Sequence, residues 1–207
     1  MNKINGEYMI KKLYFDCETT GLSAIKNGII QIAGIIEINN EEMRSFNIKI
    51  KPFESDIIKQ EALDISGITL EDINGFEDPE TAYNSIISMF DNYIDKYDKN
   101  DKFIVCGYNV RFDIDFLKEF FVKNGNDYLF SYFGQIRDPF PIIQYLSSMG
   151  KINTFNNKLS TVCEYFGIDI KNAHDAMADI QATRSLIKKL DKILIGINIK
   201  ESNKVPF

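Results

Sequence analysis

Long apolar runs are missing from this 207-residue chain. Hydrophobic residues make up 44% of it, but they fall in short, interrupted stretches that cannot cross a bilayer. A secretory leader is missing too, since the opening MNKINGEYMIKKLYF has lysines but no continuous apolar segment before a small-residue cleavage site. Cysteine is sparse. Cys17, Cys106 and Cys163 are odd in number, widely separated and free of any CxxC pair, which argues against a disulfide framework and a thiolate zinc site. These absences point to a cytoplasmic protein with reduced thiols and no membrane partner. Positive charge is also short: 24 Lys and Arg stand against 30 Asp and Glu, for a net charge of −6. A chain so charged does not grip long nucleic acid by phosphate neutralisation alone. A metal-assisted contact with a few nucleotides remains open to it.

What is present suffices for one sizeable core rather than two full domains, and the chain divides into a domain over 1–190 and a polar tail over 191–207. KKLYFDCE, GIIQIAGIIEI and FNIKIKPF read as three successive strands, with Asn39 and Asn40 as the turn between the second and third. A short helical segment ends at Gly67, and Asp78 with Pro79 opens a helix over 78–97. FIVCGY is a buried strand. Asn109 then reads as the cap of a helix that stops at Asn124 and Gly125. Two shorter helices close at Gly150 and Gly167, and a last long helix covers 173–194. Strands first, then strand and helix in alternation, predict an α/β domain with a mixed sheet.

The stretch YFDCETTG, residues 14–21, sets two acids inside an apolar strand. Residues two apart share a strand face, so Asp16 and Glu18 point the same way and Cys17 points opposite. Further along, Asp113 shares a helical stripe with Phe116, Leu117 and Phe120, which turns it inward. Asp115 lies on the far side of that helix and is left out of the site. In the last helix Asp179 interrupts an inward stripe of Ala176, Ile180, Thr183, Leu186, Ile187 and Leu190. A buried ionised carboxylate without a partner costs several kcal/mol, so the chain must protonate these groups or supply cations. Arg111 is the only basic residue near them in sequence. Inward acids without enough cations suggest a bound divalent metal, and oxygen-only ligands favour Mg²⁺ or Mn²⁺ over zinc. Helix-cap acids scattered over three segments would give the same pattern.

On these residues the chain resembles the DEDDh family of 3′-to-5′ exonucleases, in the ribonuclease H-like superfamily. FDCETTG resembles the family's first motif, YNVRFDIDFL its second and HDAMAD its third, in order along the chain. NAHDAMADIQAT is similar in wording to bacterial exonuclease I and to the proofreading subunit of the replicative polymerase, bacterial DNA polymerase III. The resemblance implies an α/β, ribonuclease H-like fold with a five-stranded mixed sheet and helices on both faces. It also implies hydrolysis of phosphodiester bonds from the 3′ end of single-stranded or frayed DNA, with two Mg²⁺ or Mn²⁺ ions and release of nucleoside 5′-monophosphates.

By the same resemblance Asp16 would contact both metals, Glu18 and Asp179 would complete one metal shell, and Asp113 would support the second. His174, the single histidine of the chain, would take the proton from the attacking water. Thr20, Gly21 and Leu22 would receive the terminal nucleotide, Phe112 would pack on its base or sugar, and Tyr108 and Asn109 would complete the substrate contacts. Two residues depart from the family pattern: Tyr108 stands where many members have His, and Cys17 where Thr is common. An RNA-directed exonuclease and an inactive nucleic-acid or polymerase binding module are the competing expectations. A DNA polymerase or another replication or repair protein is the implied partner, with the C-terminal tail as its tether; a stand-alone enzyme fits equally.

Overall fold

The computed structural model describes the backbone of residues 3–4, 7–170 and 175–195, with side chains over 9–170 and 175–193. Two short strands, β1 (Lys3–Ile4) and β2 (Glu7–Tyr8), pair with each other. The main sheet holds β3 (Lys11–Thr19), β4 (Ile29–Ile38), β5 (Glu41–Lys49), β6 (Phe103–Cys106) and β7 (Phe133–Arg137) in the order β5-β4-β3-β6-β7. β3, β4 and β5 form an antiparallel meander, and β6 and β7 extend it in parallel with β3. The expected five-stranded mixed sheet is therefore what the chain builds. Asn39 and Asn40 take positive φ angles of 50° and 70°, as a tight hairpin turn requires.

The helices are α1 (Gln60–Ser66), α2 (Leu70–Asn74), α3 (Pro79–Asp91), α4 (Arg111–Lys123), α5 (Phe140–Ser148), α6 (Leu159–Tyr165) and α7 (Ala176–Ile195). Strand alternation decides which face each one covers. Leu13, Phe15 and Cys17 of β3 join the main core with residues of α3 and α4. Tyr14, between them, packs on the opposite face with Ala33, Ile35 and Cys106 against Ala176, Ile180 and Ile187 of α7. With both faces covered, β4 reads as an almost unbroken apolar run. None of the described helices is long and apolar enough to cross a membrane.

Five expectations change. Asn109 does not cap α4: its φ is +58°, and the cap is Val110, which makes no side-chain capping bond. Asp138, just past β7, does that work, accepting the N–H groups of Asn109 at 2.9 Å, Val110 at 3.1 Å and Phe140 at 2.9 Å. α3 stops at Asp91 rather than Tyr97, because Asp95 and Asp98 bond backbone N–H groups two residues on and offer the chain turns instead of helix. β5 begins at Glu41, and β7 is the fifth strand that the resemblance implied but no sequence pattern located; both are edge strands, largely exposed, without the apolar alternation that marks a buried strand. α7 runs to Ile195, so the start of the expected polar tail is helical, and 196–207 lie outside the described residues.

Candidate active site

The carboxyl ends of the parallel strands β3, β6 and β7 meet at one edge of the sheet, where open α/β sheets bind ligands. Asp16 and Glu18 stand there on β3, on the face that α7 covers. Asp113 arrives from the other face in the first turn of α4. β6 ends at Cys106 opposite Tyr14, and beyond that pair Asp113 Oδ1 accepts the Cys17 N–H at 3.0 Å. That bond ties α4 to β3 between the two strand acids. Asp179 comes from the first turn of α7, whose start is capped by Asp175 through the N–H groups of Met177 and Ala178, each at 3.1 Å. His174 lies outside the described residues.

These acids feel one another. Burial, then Asp113, Glu18 and Asp179, push the Asp16 carboxyl well above the usual carboxylate range. Glu18 is raised to about 7 by burial and then by Asp179 and Asp175. Asp113, almost fully buried, is also raised, by burial first and by Glu18 and Asp138, against hydrogen bonds from Cys17 and its own backbone. Among the described residues no Lys or Arg pairs with Asp16, Glu18 or Asp113. Arg111 is turned away in an exposed pair with Asp115 at 3.0 Å, in keeping with the exclusion of Asp115 from the site.

Among the described residues, no group of three or more Asp, Glu, His or Cys side chains is gathered as a ready metal cage. The donor set still suits hard cations: it is all carboxylate, mutually repulsive and short of protein cations. Cys17 adds no soft ligand. Its thiol is buried on the opposite face, and burial followed by the nearby acids keeps it protonated.

The expected substrate residues divide. Thr20 is fully buried, its Oγ1 donating to the Ile57 carbonyl and accepting the Gly28 N–H, both at 2.9 Å. Its own N–H goes to the Gly28 carbonyl, so it latches the loop rather than facing a ligand. Gly21 is buried against Asn27, where an added Cβ would come within 2.6 Å of side-chain atoms. Leu22 stands out into solvent at 83% exposure, where a core leucine would be hidden. Tyr108 is half-buried, its hydroxyl donating to the Asn157 carbonyl at 2.6 Å and its ring set edge-on to Phe140. Phe112 leans on Phe116 with ring centroids 4.8 Å apart. Asn109 is exposed at the mouth of the site. Sequence reasoning missed Asp138 and Asp175; an acid just before a helix was the available signal for both, Asp175 ahead of α7 and Asp138 with Pro139 ahead of α5, but nothing local marks the bonds of Asp138 to Asn109 and Val110.

A sequence profile of the exonuclease family RNase_T matches residues 13–187. The PolC-type DNA polymerase III of Halalkalibacterium halodurans is 27% identical over 178 residues, which is 86% of this chain and 11% of that polymerase. The PolC-type enzyme of Listeria monocytogenes is 28% identical over 193 residues, 93% of this chain and 12% of its own length. The chain thus spans little more than a tenth of these relatives. Among solved structures, Escherichia coli exonuclease I in complex with a dT13 oligonucleotide superposes with a TM-score of 0.73 at 24% identity, covering 90% of this chain and 43% of that one. The zinc-ion-bound form of the E. coli exonuclease I complex with single-stranded DNA gives 0.75 at 24% identity, covering 89% and 41%. At such identity the likeness is one of fold, and that fold is ribonuclease H-like.

Proposed function

The chain belongs to the exonuclease family, and from that premise we propose that it is a DEDDh-type 3′-to-5′ exonuclease acting on single-stranded DNA or frayed 3′ ends and releasing nucleoside 5′-monophosphates. The observation that carries this reading is the convergence of Asp16, Glu18, Asp113 and Asp179 at one sheet edge, each of the first three raised in pKa and without a cationic partner among the described residues. A chain gains no stability from such a cluster, so its use lies in what it binds.

Asp16, Glu18, Asp113 and Asp179 are the residues that would hold two Mg²⁺ or Mn²⁺ ions. Bound there, the metals would activate the attacking water and neutralise charge on the leaving oxygen. The chain's own residues supply the rest. Asp113, anchored on the Cys17 N–H, fixes the position of α4 against β3. Asp175, by capping α7, sets the direction in which Asp179 presents its carboxylate. His174 takes the proton of the water, a task suited to an imidazole with a near-neutral pKa. Leu22, exposed beside the strand acids, meets the terminal nucleotide through apolar contact.

The test is a gel of 5′-labelled single-stranded DNA incubated with the protein in Mg²⁺, in Mn²⁺ and in EDTA, beside an RNA of the same sequence. A metal-dependent ladder shortening from the 3′ end is the expected result. A faster RNA lane would move the assignment to an exoribonuclease. No cleavage of either strand by folded protein would leave a binding module. Association with a DNA polymerase belongs to the same proposal, because the PolC-type relatives carry the matched region within far longer chains; co-elution of the purified proteins tests it.

A further inference from the structure

Beside Asp179 the surface opens into a cleft of about 530 Å³, and among the described residues of the catalytic cluster only Asp179 lines it. Its walls are rigid. Tyr108 and Phe140 meet edge-on at 5.3 Å, and the Tyr108 hydroxyl fastens the Asn157 backbone. Asn157 is held a second time, by Ser147 Oγ at 3.0 Å, and Asn156 braces the Lys158 N–H at 2.9 Å. The loop is therefore anchored, with Ile152 in the core beneath α7 at one end and Leu159 packed on that core at the other.

An anchored loop has no structural need to hold an aromatic ring in water, yet Phe155 is 87% exposed. Lys158, three residues on, is the only Lys or Arg lining the cleft among the described residues. It is exposed and joins no ion pair among the described residues. We propose that the loop carrying Phe155 and Lys158 is the platform for the nucleic-acid strand leading away from the cleavage point, with a base stacked on Phe155 and a phosphate on Lys158.

This rests on the exonuclease reading and adds the strand's path to it. The occupant is single-stranded nucleic acid on two grounds. The cleft reaches Asp179, where the scissile end would sit, and the loop that gives it Lys158 also carries the exposed ring of Phe155, an aromatic beside a cation being the combination that holds unpaired strands without regard to sequence. A chain of net charge −6 cannot rely on a broad basic face, so a few local contacts must carry the binding.

The experiment measures binding of 5′-fluorescein-labelled dT12 by anisotropy, with Ca²⁺ in place of Mg²⁺, and of an unlabelled dinucleotide by competition. Wild-type protein, F155A and K158A are compared, with melting curves to verify folding. F155A is expected to weaken dT12 about tenfold, as loss of one base stack does. K158A should weaken it several-fold and flatten the dependence of log Kd on log salt by about 0.7, the signature of one lost phosphate contact on a single strand. In both variants the preference for dT12 over the dinucleotide should shrink by the same factor. Equal dT12 binding by all three proteins, an unchanged salt slope in K158A, or no dT12 binding by the wild type would overturn the proposal. Hydrolysis of the p-nitrophenyl ester of thymidine 5′-monophosphate in Mg²⁺ reads the catalytic cluster separately. Its absence would count against the exonuclease reading, while the dT12 titrations would still decide the loop.

Discussion

Two acidic positions on the same pair of strands, one buried and one half-buried, meet opposite fates. Glu37, near the end of β4, faces Lys12 across the ladder and is fully buried. Its Oε1 accepts from Lys12 Nζ at 2.9 Å, its Oε2 from Arg184 at 2.8 and 3.0 Å, and Lys188 stands 3.4 Å away. Burial alone would raise this carboxyl, but the bonds from Lys12 and Arg184 hold it down at about 2. At the other end of β3, Asp16 and Glu18 receive no such bonds among the described residues and are pushed up. Scarcity does not explain the difference, for α7 carries Arg184 and Lys188 as well as Asp179. The chain gives cations to the acid that holds the fold together and, among the described residues, none to the acids proposed to act.

The sharpest break in this contrast is expected at the unpaired end. Asp16→Ala or Asp179→Ala should reduce cleavage of labelled DNA by about 10³-fold or more while the melting temperature holds or rises, because repulsion is relieved. Loss of activity together with unfolding would make these acids structural like Glu37. His174→Ala should slow cleavage roughly 10²- to 10⁴-fold and move or remove the acidic limb of the pH–rate profile; an unmoved limb would assign that titration elsewhere.

At the paired end, Glu37→Gln should cost about 3 kcal/mol of stability, seen as a lower urea midpoint, because it strands Lys12 and Arg184 beneath α7. The rate per folded molecule should not change; a large drop in that rate would dissolve the distinction. The smallest effect is in pH, where the two ends have opposite signs. Glu18 rises from an ordinary 4.5 to about 7 on folding, so metal-free protein should lose stability as pH climbs through that window. Glu37 falls from 4.5 to about 2, so its contribution is present above 4.5 and lost toward 2. Melting curves in EDTA between these values, compared with Glu18→Gln, should flatten the upper slope only.

What could be read beforehand follows from range. Asp113 and Asp179 betray themselves because a helical stripe is periodic, and an acid in an apolar stripe is visible within a few residues. The Asn39–Asn40 turn is visible for the same reason. Asp138 is readable only as the acid ahead of α5, since its other work is on backbone groups of a segment far back in the chain, and backbone donors leave no trace in residue type. Thr20 and Leu22 sit almost side by side with opposite exposures that only the fold of the 20–28 loop decides. β7 was missed because a mostly exposed edge strand has no apolar face to announce it.

The clamp at Glu37 also acts along the length of α7. Arg184 follows Asp179 by about one and a half turns, roughly 7.5 Å of helix, and Arg137 grips Asp191 beyond it. A pull on the far end of α7 would be taken up by these two moorings before it reached Asp179. Asp179 is thereby mechanically insulated from loads on the far end of that helix.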